Sequence, residues 1–296
     1  FVIDSSCSFT GNYAGALSVS VNGSLTVKNT TNNAAVSGDN SVGGFIGAVE
    51  ELEQPTVLSF EHCDIHGNIT GNKWGINIGG FVGVAHENHN MTMTISNSIN
   101  NGNITGDRRN MGGFVGLIIN NPRMVVTISN SSNNGNIIAG RSALGGFVGP
   151  IHCSPNMVMT ISDSTNNGNV TGNDNAGGFV GCIYSSTESF SISLDIINSA
   201  NKGIVGDTQG WACGFANIGS DLNTTVKNSI NKGSVNAGIS GCGITNIITE
   251  ARNVVSMGDV TGPYGSYTFW NESTVVDLFY GLNDKCVNCS DDATLF

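Results

Sequence analysis

The segment Gly-Gly-Phe-(Val/Ile)-Gly occurs five times in the chain, beginning at Gly43, Gly79, Gly112, Gly145 and Gly177. Degenerate copies surround Phe215 and Ile244, and Gly15-Ala16-Leu17 reads as an early one. A second element precedes each copy. Its clearest form is Ile95-Ser96-Asn97-Ser98-Ile99-Asn100-Asn101-Gly102-Asn103-Ile104-Thr105-Gly106. It recurs at 128–140, 161–172, 196–206 and 226–238, and more weakly at 27–38, 60–71 and 251–262. Alignment of the copies puts Asn29, His62, Asn97, Asn130, Asp163, Asn198, Asn228 and Asn253 in one register, at spacings of 33, 35, 33, 33, 35, 30 and 25 residues. Fixed motifs at such a period mark a stacked repeat architecture with insertions confined to loops.

Each repeat reads as three short strands. In the clearest copy they are 91–95, where Met and Ile alternate with Thr, then 103–105 and 114–118. The turns carry Asn-Gly or Lys-Gly at Gly102, Gly135, Gly168, Gly203 and Gly233, where glycine is expected to supply a positive φ. The arithmetic fits an all-β, right-handed parallel β-helix of about nine coils, a rod about 40 Å long at ~4.8 Å per coil. A propeller blade needs a fourth strand, and a leucine-rich repeat needs more than the 11 Leu present. Stacking the coils lines up Phe45, Phe81, Phe114, Phe147, Phe179 and Phe215 as an internal aromatic column. It also lines up Asn29, Asn97, Asn130, Asn198, Asn228 and Asn253 as an amide ladder. Their parity with Val27, Ile95 and Ile128 places these Asn inside the coil or at a bend.

Composition removes other classes. Only 11% of residues are charged and the net charge is −11, so there is no basic footprint for nucleic acid. No apolar run approaches the ~20 residues of a membrane helix. With 39% hydrophobic residues the chain is not of the disordered type. Residue 1 is Phe, and no basic segment precedes an apolar run, so no signal peptide is visible. Eight Cys suggest an oxidising compartment.

The Gly-Gly-hydrophobic-hydrophobic-Gly core within a Gly/Asn-rich unit resembles the GLUG-type repeat, over residues 13–262. Such repeats occur in adhesins and large surface proteins. The resemblance implies an elongated extracellular stalk or adhesin and supplies no catalytic residues. Phe stands here where the family pattern has Leu.

Ten N-x-Ser/Thr sequons begin at Asn22, Asn29, Asn68, Asn90, Asn103, Asn130, Asn169, Asn223, Asn271 and Asn288. With 40 Asn and 55 Ser plus Thr, about seven would arise by composition alone. Placement is more informative: Asn68, Asn103 and Asn169 share one repeat position and should display a row of glycans. Asn29 and Asn130 fall in the expected internal ladder and should stay bare. Among the cysteines, Cys213 and Cys242 share a repeat position one coil apart. Cys153 and Cys182 fall in loops of adjacent coils, Cys7 and Cys63 remain as a pair, and Cys286-Val-Asn-Cys289 reads as a short disulfide loop or the start of a Cys-rich module.

The remaining polar clusters read as solvated surface. His86-Glu87-Asn88-His89 has no helix to align two imidazoles. Glu50, Glu51 and Glu53 form an acidic loop. Asp39, Asp107 and Asp207 share a corner that could bind Ca²⁺, but Asn72, Arg141 and Asn173 interrupt the row. Asp107-Arg108-Arg109 is the best catalytic candidate and lacks neighbours. No cofactor, metal site or enzymatic activity is expected.

Residues 1–262 thus form a repeat domain. Residues 263–296, with seven of the 21 aromatics, form a last coil and cap or an interface. The expected function is an extracellular, glycosylated, disulfide-stapled rod on a cell surface or in a surface filament. Its partners would be copies of itself, neighbouring surface domains, or host or matrix glycans. A carbohydrate-binding module is the first alternative and a polysaccharide lyase or hydrolase the second. An exposed aromatic row would favour the former, and two or three carboxylates within ~10 Å in a groove the latter.

Overall fold

A computed structural model describes residues 1–72, 76–141, 143–184, 191–218, 222–264, 266–272 and 278–280. Among them all regular structure is β-strand, and the strands pair in parallel. One face of the solenoid is a ladder of in-register strands: Leu25–Asn32, Val57–Ile65, Thr92–Ser96, Val125–Ser129, Val158–Ser162, Ser193–Ile197, Asn223–Asn231 and Glu250–Ser256. Within it Ile95 pairs Ile128, which pairs Ile161. The chain makes about seven turns rather than nine. Strands Ser266–Glu272 and Leu278–Tyr280 add a further parallel rung.

Each central coil contains five strands, not three. In one coil they are Thr92–Ser96, Ile99–Asn100, Ile104–Gly106, Met111–Gly112 and Val115–Ile119. The break between the first two strands comes from a corner where a single residue turns into the left-handed region. Asn29, His62, Asn97, Asn130, Asp163, Asn198, Asn228 and Asn253 have φ between 48° and 53°. Glu51, Glu87, Asn120 and Cys153 make a second such corner, at φ 45–57°. Asn and Asp are the non-glycine residues that tolerate this region best, which explains their abundance at the first corner.

The corner resets the side-chain alternation. Met93 and Ile95 point inward, Asn97 is exposed, and then Ser98 and Asn100 are buried. The expectation that Asn29, Asn97, Asn130, Asn198, Asn228 and Asn253 line the interior is therefore corrected: all six are exposed. Four members of this register, beginning at Asp163, still join an outer ladder, through Asn198 Nδ2 to Asp163 Oδ1, Asn228 Nδ2 to Asn198 Oδ1 and Asn253 Nδ2 to Asn228 Oδ1 at 2.9–3.1 Å. The internal ladder lies three residues later. Asn100, Asn133, Asn166 and Asn201 each donate Nδ2 to the Oδ1 of the next coil's Asn at 2.8 Å, ending on Asn231. Each also donates to the carbonyl of the glycine two residues on. Ile65 occupies this register in the preceding coil, which leaves Asn100 Oδ1 buried with no donor.

Beside it runs a serine column. Ser98, Ser131, Ser164, Ser199 and Ser229 donate Oγ–H to the carbonyl two residues back at 2.6–2.7 Å. Each accepts the main-chain N–H of the matching residue in the previous coil at 3.1–3.3 Å. Interior polar groups of this kind are tolerated only when paired, and here nearly all are.

The apolar half of the core is the aromatic column. Phe45, Phe81, Phe114, Phe147, Phe179 and Phe215 are fully buried, with successive ring centroids 4.8–5.2 Å apart. That spacing matches the ~4.8 Å rung of a parallel sheet, so each coil adds one ring in contact with the last. Phe60 joins the first two at 5.7 and 5.3 Å.

The glycines act through space rather than through φ. None of Gly102, Gly135, Gly168, Gly203 or Gly233 has a φ in the left-handed region, contrary to expectation. A Cβ on any of them would stand 1.8–2.0 Å from a main-chain oxygen of the coil before. The second glycine of each Gly-Gly-Phe segment is equally constrained: a Cβ on Gly113 would meet Gly146 O at 2.0 Å and the Asn133 amide at 2.8 Å.

Candidate functional site

Three features of the surface and its margins bear on function. The first is the sequon column. Asn68, Asn103 and Asn169 are exposed and stand in one axial row with Asn136 between the last two. Each uses only its Oδ1, which accepts the main-chain N–H of the next coil at 2.9–3.0 Å. Nδ2, the atom a glycan would take, is left to solvent-side chemistry. Asn22, Asn90 and Asn223 are exposed as well. Asn29 and Asn130 are exposed corner residues, so the reason for expecting them to stay bare falls. Asn271 is placed by its backbone, in register with Ile247. Asn288 lies outside the described residues, with Cys286 and Cys289.

The second feature is the cysteines. Cys213 and Cys242 pair in register on adjacent rungs, and both are fully buried. Burial first, then the neighbouring Cys242, push the Cys213 thiol well above its ordinary range. Since the thiolate is the reacting form, oxidation would precede closure of that coil. The expected outcome of folding under oxidising conditions is one Cys213–Cys242 bridge, worth about 3–4 kcal/mol for a loop of this size. Non-reducing peptide mapping checks it; recovery of both cysteines alkylated from denatured, unreduced protein would refute it. Two other expected pairs are not brought together. Cys182 is in register with Pro150, so Cys153 lies three residues, or roughly 10 Å, further along the strand. That exceeds the ~7 Å reach of a disulfide. Cys63 is buried, with its thiol near the Val27 and Glu61 carbonyls, whereas Cys7 is exposed.

The third feature is an acidic pair. Asp207 was expected in a row with Asp39 and Asp107, but it is in register with Gly172. It therefore belongs to the column Gly38, Gly71, Gly106, Ala139 and Gly172, one residue earlier. There it is only 5% exposed. Its Oδ1 accepts Gln209 N–H at 2.9 Å and Gly210 N–H at 2.6 Å, while Oδ2 is buried with no partner. Burial raises its pKa, opposed by these two N–H groups and reinforced by the Asp174 carboxylate. The folded state thus holds this proton more tightly than the unfolded chain. The contribution of Asp207 to stability falls as pH rises past the ordinary carboxylate range.

The rival chemistries lack their geometry among the described residues. The exposed large aromatics are Phe1, Tyr184 and Tyr264, which form no row. Tyr184 stacks on His152 at 5.2 Å and accepts Asn175 Nδ2 at 2.7 Å. His86 lies beside Glu87 at 3.2 Å, and no group of three or more His, Cys, Asp or Glu could hold a metal. The loop after His86 is not simply solvated: Asn88 is buried and bridges Val49 O and Asn121 Oδ1, both at 2.9 Å. An open groove of about 630 Å³, lined by Phe1, Leu17, Val21, Leu25 and Val27 among others, lies at the first coil. It carries one charged side chain, Lys28.

The broad strand face is uncharged in its middle. Thr92, Thr94 and Ser96 align with Val125, Thr127 and Ser129 and with Val158, Thr160 and Ser162. Charge lies toward its two ends, as Lys28–Glu61 at 2.7 Å at one and, at the other, Asp195 in register between Thr160 and Thr225, then Glu250 with Lys227 and Arg252 at 3.1 and 2.6 Å. No helix of the described residues is long and apolar enough to cross a membrane. The chain is a β-solenoid scaffold; no family model, curated protein or solved structure matches it.

Proposed function

We propose that the chain is an extracellular structural or adhesive rod whose sequon face carries N-linked glycans. The observation that carries this reading is the axial row Asn68, Asn103 and Asn169, exposed on the outside of a solenoid and using only Oδ1 within the fold. The low charge of 11% is consistent with it, because glycans would supply the hydration that charged side chains usually provide. The Gly-Gly-Phe-Val-Gly motif resembles surface-protein repeats and points the same way. Copies of the chain, neighbouring surface domains, or host or matrix glycans are the partners this reading implies.

Secretion from a eukaryotic host followed by glycopeptide mass spectrometry tests it. Asn68, Asn103 and Asn169 are expected to be occupied in most molecules. Bare asparagine at all three, in protein that has passed through the secretory pathway, would refute the glycosylated-face reading. An enzymatic reading is the weaker one. The acidic pair Asp174 and Asp207 has its second member buried beyond the reach of a polysaccharide.

A further inference from the structure

We propose that Asp207 and Asp174 together hold a hard divalent cation, Ca²⁺ being the best fit, at the corner between two neighbouring coils. The sequence of the column states the problem. Gly38, Gly71, Gly106, Ala139 and Gly172 place at most a methyl group at this position, and the sixth member is a carboxylate. Asp207 is 5% exposed and its Oδ2 accepts nothing. A buried carboxylate oxygen without a donor is strongly disfavoured and calls for a counter-charge.

The neighbour that approaches is a second acid. Asp207 Oδ1 takes the N–H of Gly210 at 2.6 Å, and a Cβ on Gly210 would stand 2.8 Å from Asp174 Oδ1. Chain geometry then bounds the two carboxylates at no more than about 8 Å apart. Asp174 is exposed, and one of its oxygens accepts Asn175 Nδ2 at 2.9 Å. Among the described residues no Lys, Arg or His pairs with either acid. Two adjacent carboxylates with no cation of the chain's own, one on the surface and one beneath it, suit a hard ion that enters from solvent. Ca²⁺ takes oxygen ligands in flexible geometry and fills its remaining positions with main-chain oxygens and water. Mg²⁺ demands stricter geometry and dehydrates reluctantly, so it should bind less well. Affinity in the range of extracellular modules, Kd ~10⁻⁴–10⁻³ M, is expected.

The test is thermal denaturation and calorimetric titration of the full chain with CaCl₂, after EGTA treatment, with MgCl₂ as comparison. The parent protein should gain about 5 °C in Tm at Ca²⁺ ~100-fold above Kd. Asp174→Asn, at an exposed position, should fold normally and lose at least ~10-fold in Ca²⁺ affinity, because one of two charged ligands is gone. Asp207→Asn should melt higher than the parent in EGTA and show no Ca²⁺ response. The absence of any Ca²⁺ response in the parent at millimolar concentration would overturn the proposal and assign Asp207 as a buried protonated acid. A response that persists undiminished in Asp174→Asn would overturn it too, by placing the ion elsewhere.

Discussion

Asn133→Asp is expected to cost about 5 kcal/mol of folding stability at neutral pH, while Asn130→Asp, three residues earlier, changes it by less than about 0.5 kcal/mol. The substitution is the same; the environments differ. Asn133 Nδ2 donates to Gly135 O at 2.9 Å and to Asn166 Oδ1 at 2.8 Å, and its Oδ1 accepts from Asn100. A carboxylate keeps only the acceptor role. It would orphan two buried acceptors, at about 1–3 kcal/mol each, and set a charge among oxygens in a dry interior. Asn130 is an exposed left-handed corner, and the chain already carries an acid there one coil later, at Asp163. The pH dependence separates the two variants further. A carboxyl at 133 would have its folded-state pKa raised, since the buried charged form is disfavoured. Its deficit should therefore shrink as pH falls toward 4, because a protonated acid can donate one of the lost bonds. Denaturant melts of both variants at pH 7 and pH 4 measure this. Equal losses at 130 and 133 would mean that the internal ladder is wrongly assigned.

The contrast between these neighbours also shows where the sequence could be read and where it could not. The Phe column was legible because Phe45 through Phe215 each follow a fixed Gly-Gly pair, and nothing between successive rings disturbs the count. The outward placing of Asn68, Asn103 and Asn169 was legible because that strand is flanked by Ile or Val on its inner side. Asn97 misled because parity assumes an unbroken strand, and one left-handed residue moves the interior by one position. Its signal was present in the sequence. In the segment Asn-Ser-x-Asn, the Asn of the first position gives way to His62 and Asp163, whereas the fourth is Asn in five consecutive copies, Asn100 to Asn231, and its replacements, Ile65 and Ser256, stand only at the two ends of that run. An exposed corner tolerates an imidazole or a carboxylate, but a shared amide ladder does not.

Asp207 shows the same limit from the other side. Asp207 stands nine residues after its corner Asn198, as Gly172 does after Asp163, whereas Asp39 and Asp107 stand ten after Asn29 and Asn97; it therefore falls in the glycine column, and its chemistry is buried rather than hydrated. Side-chain position in a solenoid is decided by the count of residues since the last corner. Motif spacing alone does not record whether a corner has intervened. Cys153 and Cys182 differ in motif spacing alone, six residues after Phe147 against three after Phe179, with no corner between.

Gly146→Ala is expected to cost at least about 3 kcal/mol, and the reason is coil spacing rather than backbone conformation. A Cβ there would lie 2.0 Å from Gly178 O, 2.6 Å from Asn166 Cγ and 2.7 Å from Asn166 Oδ1. None of these is the free end of a flexible side chain. Gly178 O belongs to the next rung, and the Asn166 amide is fixed by its bonds to Asn201 and Gly168. Relief requires the coils to part, which would stretch the amide ladder and separate Phe147 from Phe179, now 5.0 Å apart. Gly206→Ala supplies the comparison. Its nearest neighbours are the ends of the Thr171 side chain at 3.8 Å, and its φ is not in the left-handed region. The added methyl should be neutral there, or should stabilise by about 0.4–1 kcal/mol through the unfolded chain. Chemical denaturation of the two variants beside the parent decides the matter. If alanine at 146 were as well tolerated as at 206, the Gly-Gly-Phe repeat would not owe its glycines to the close approach of successive coils.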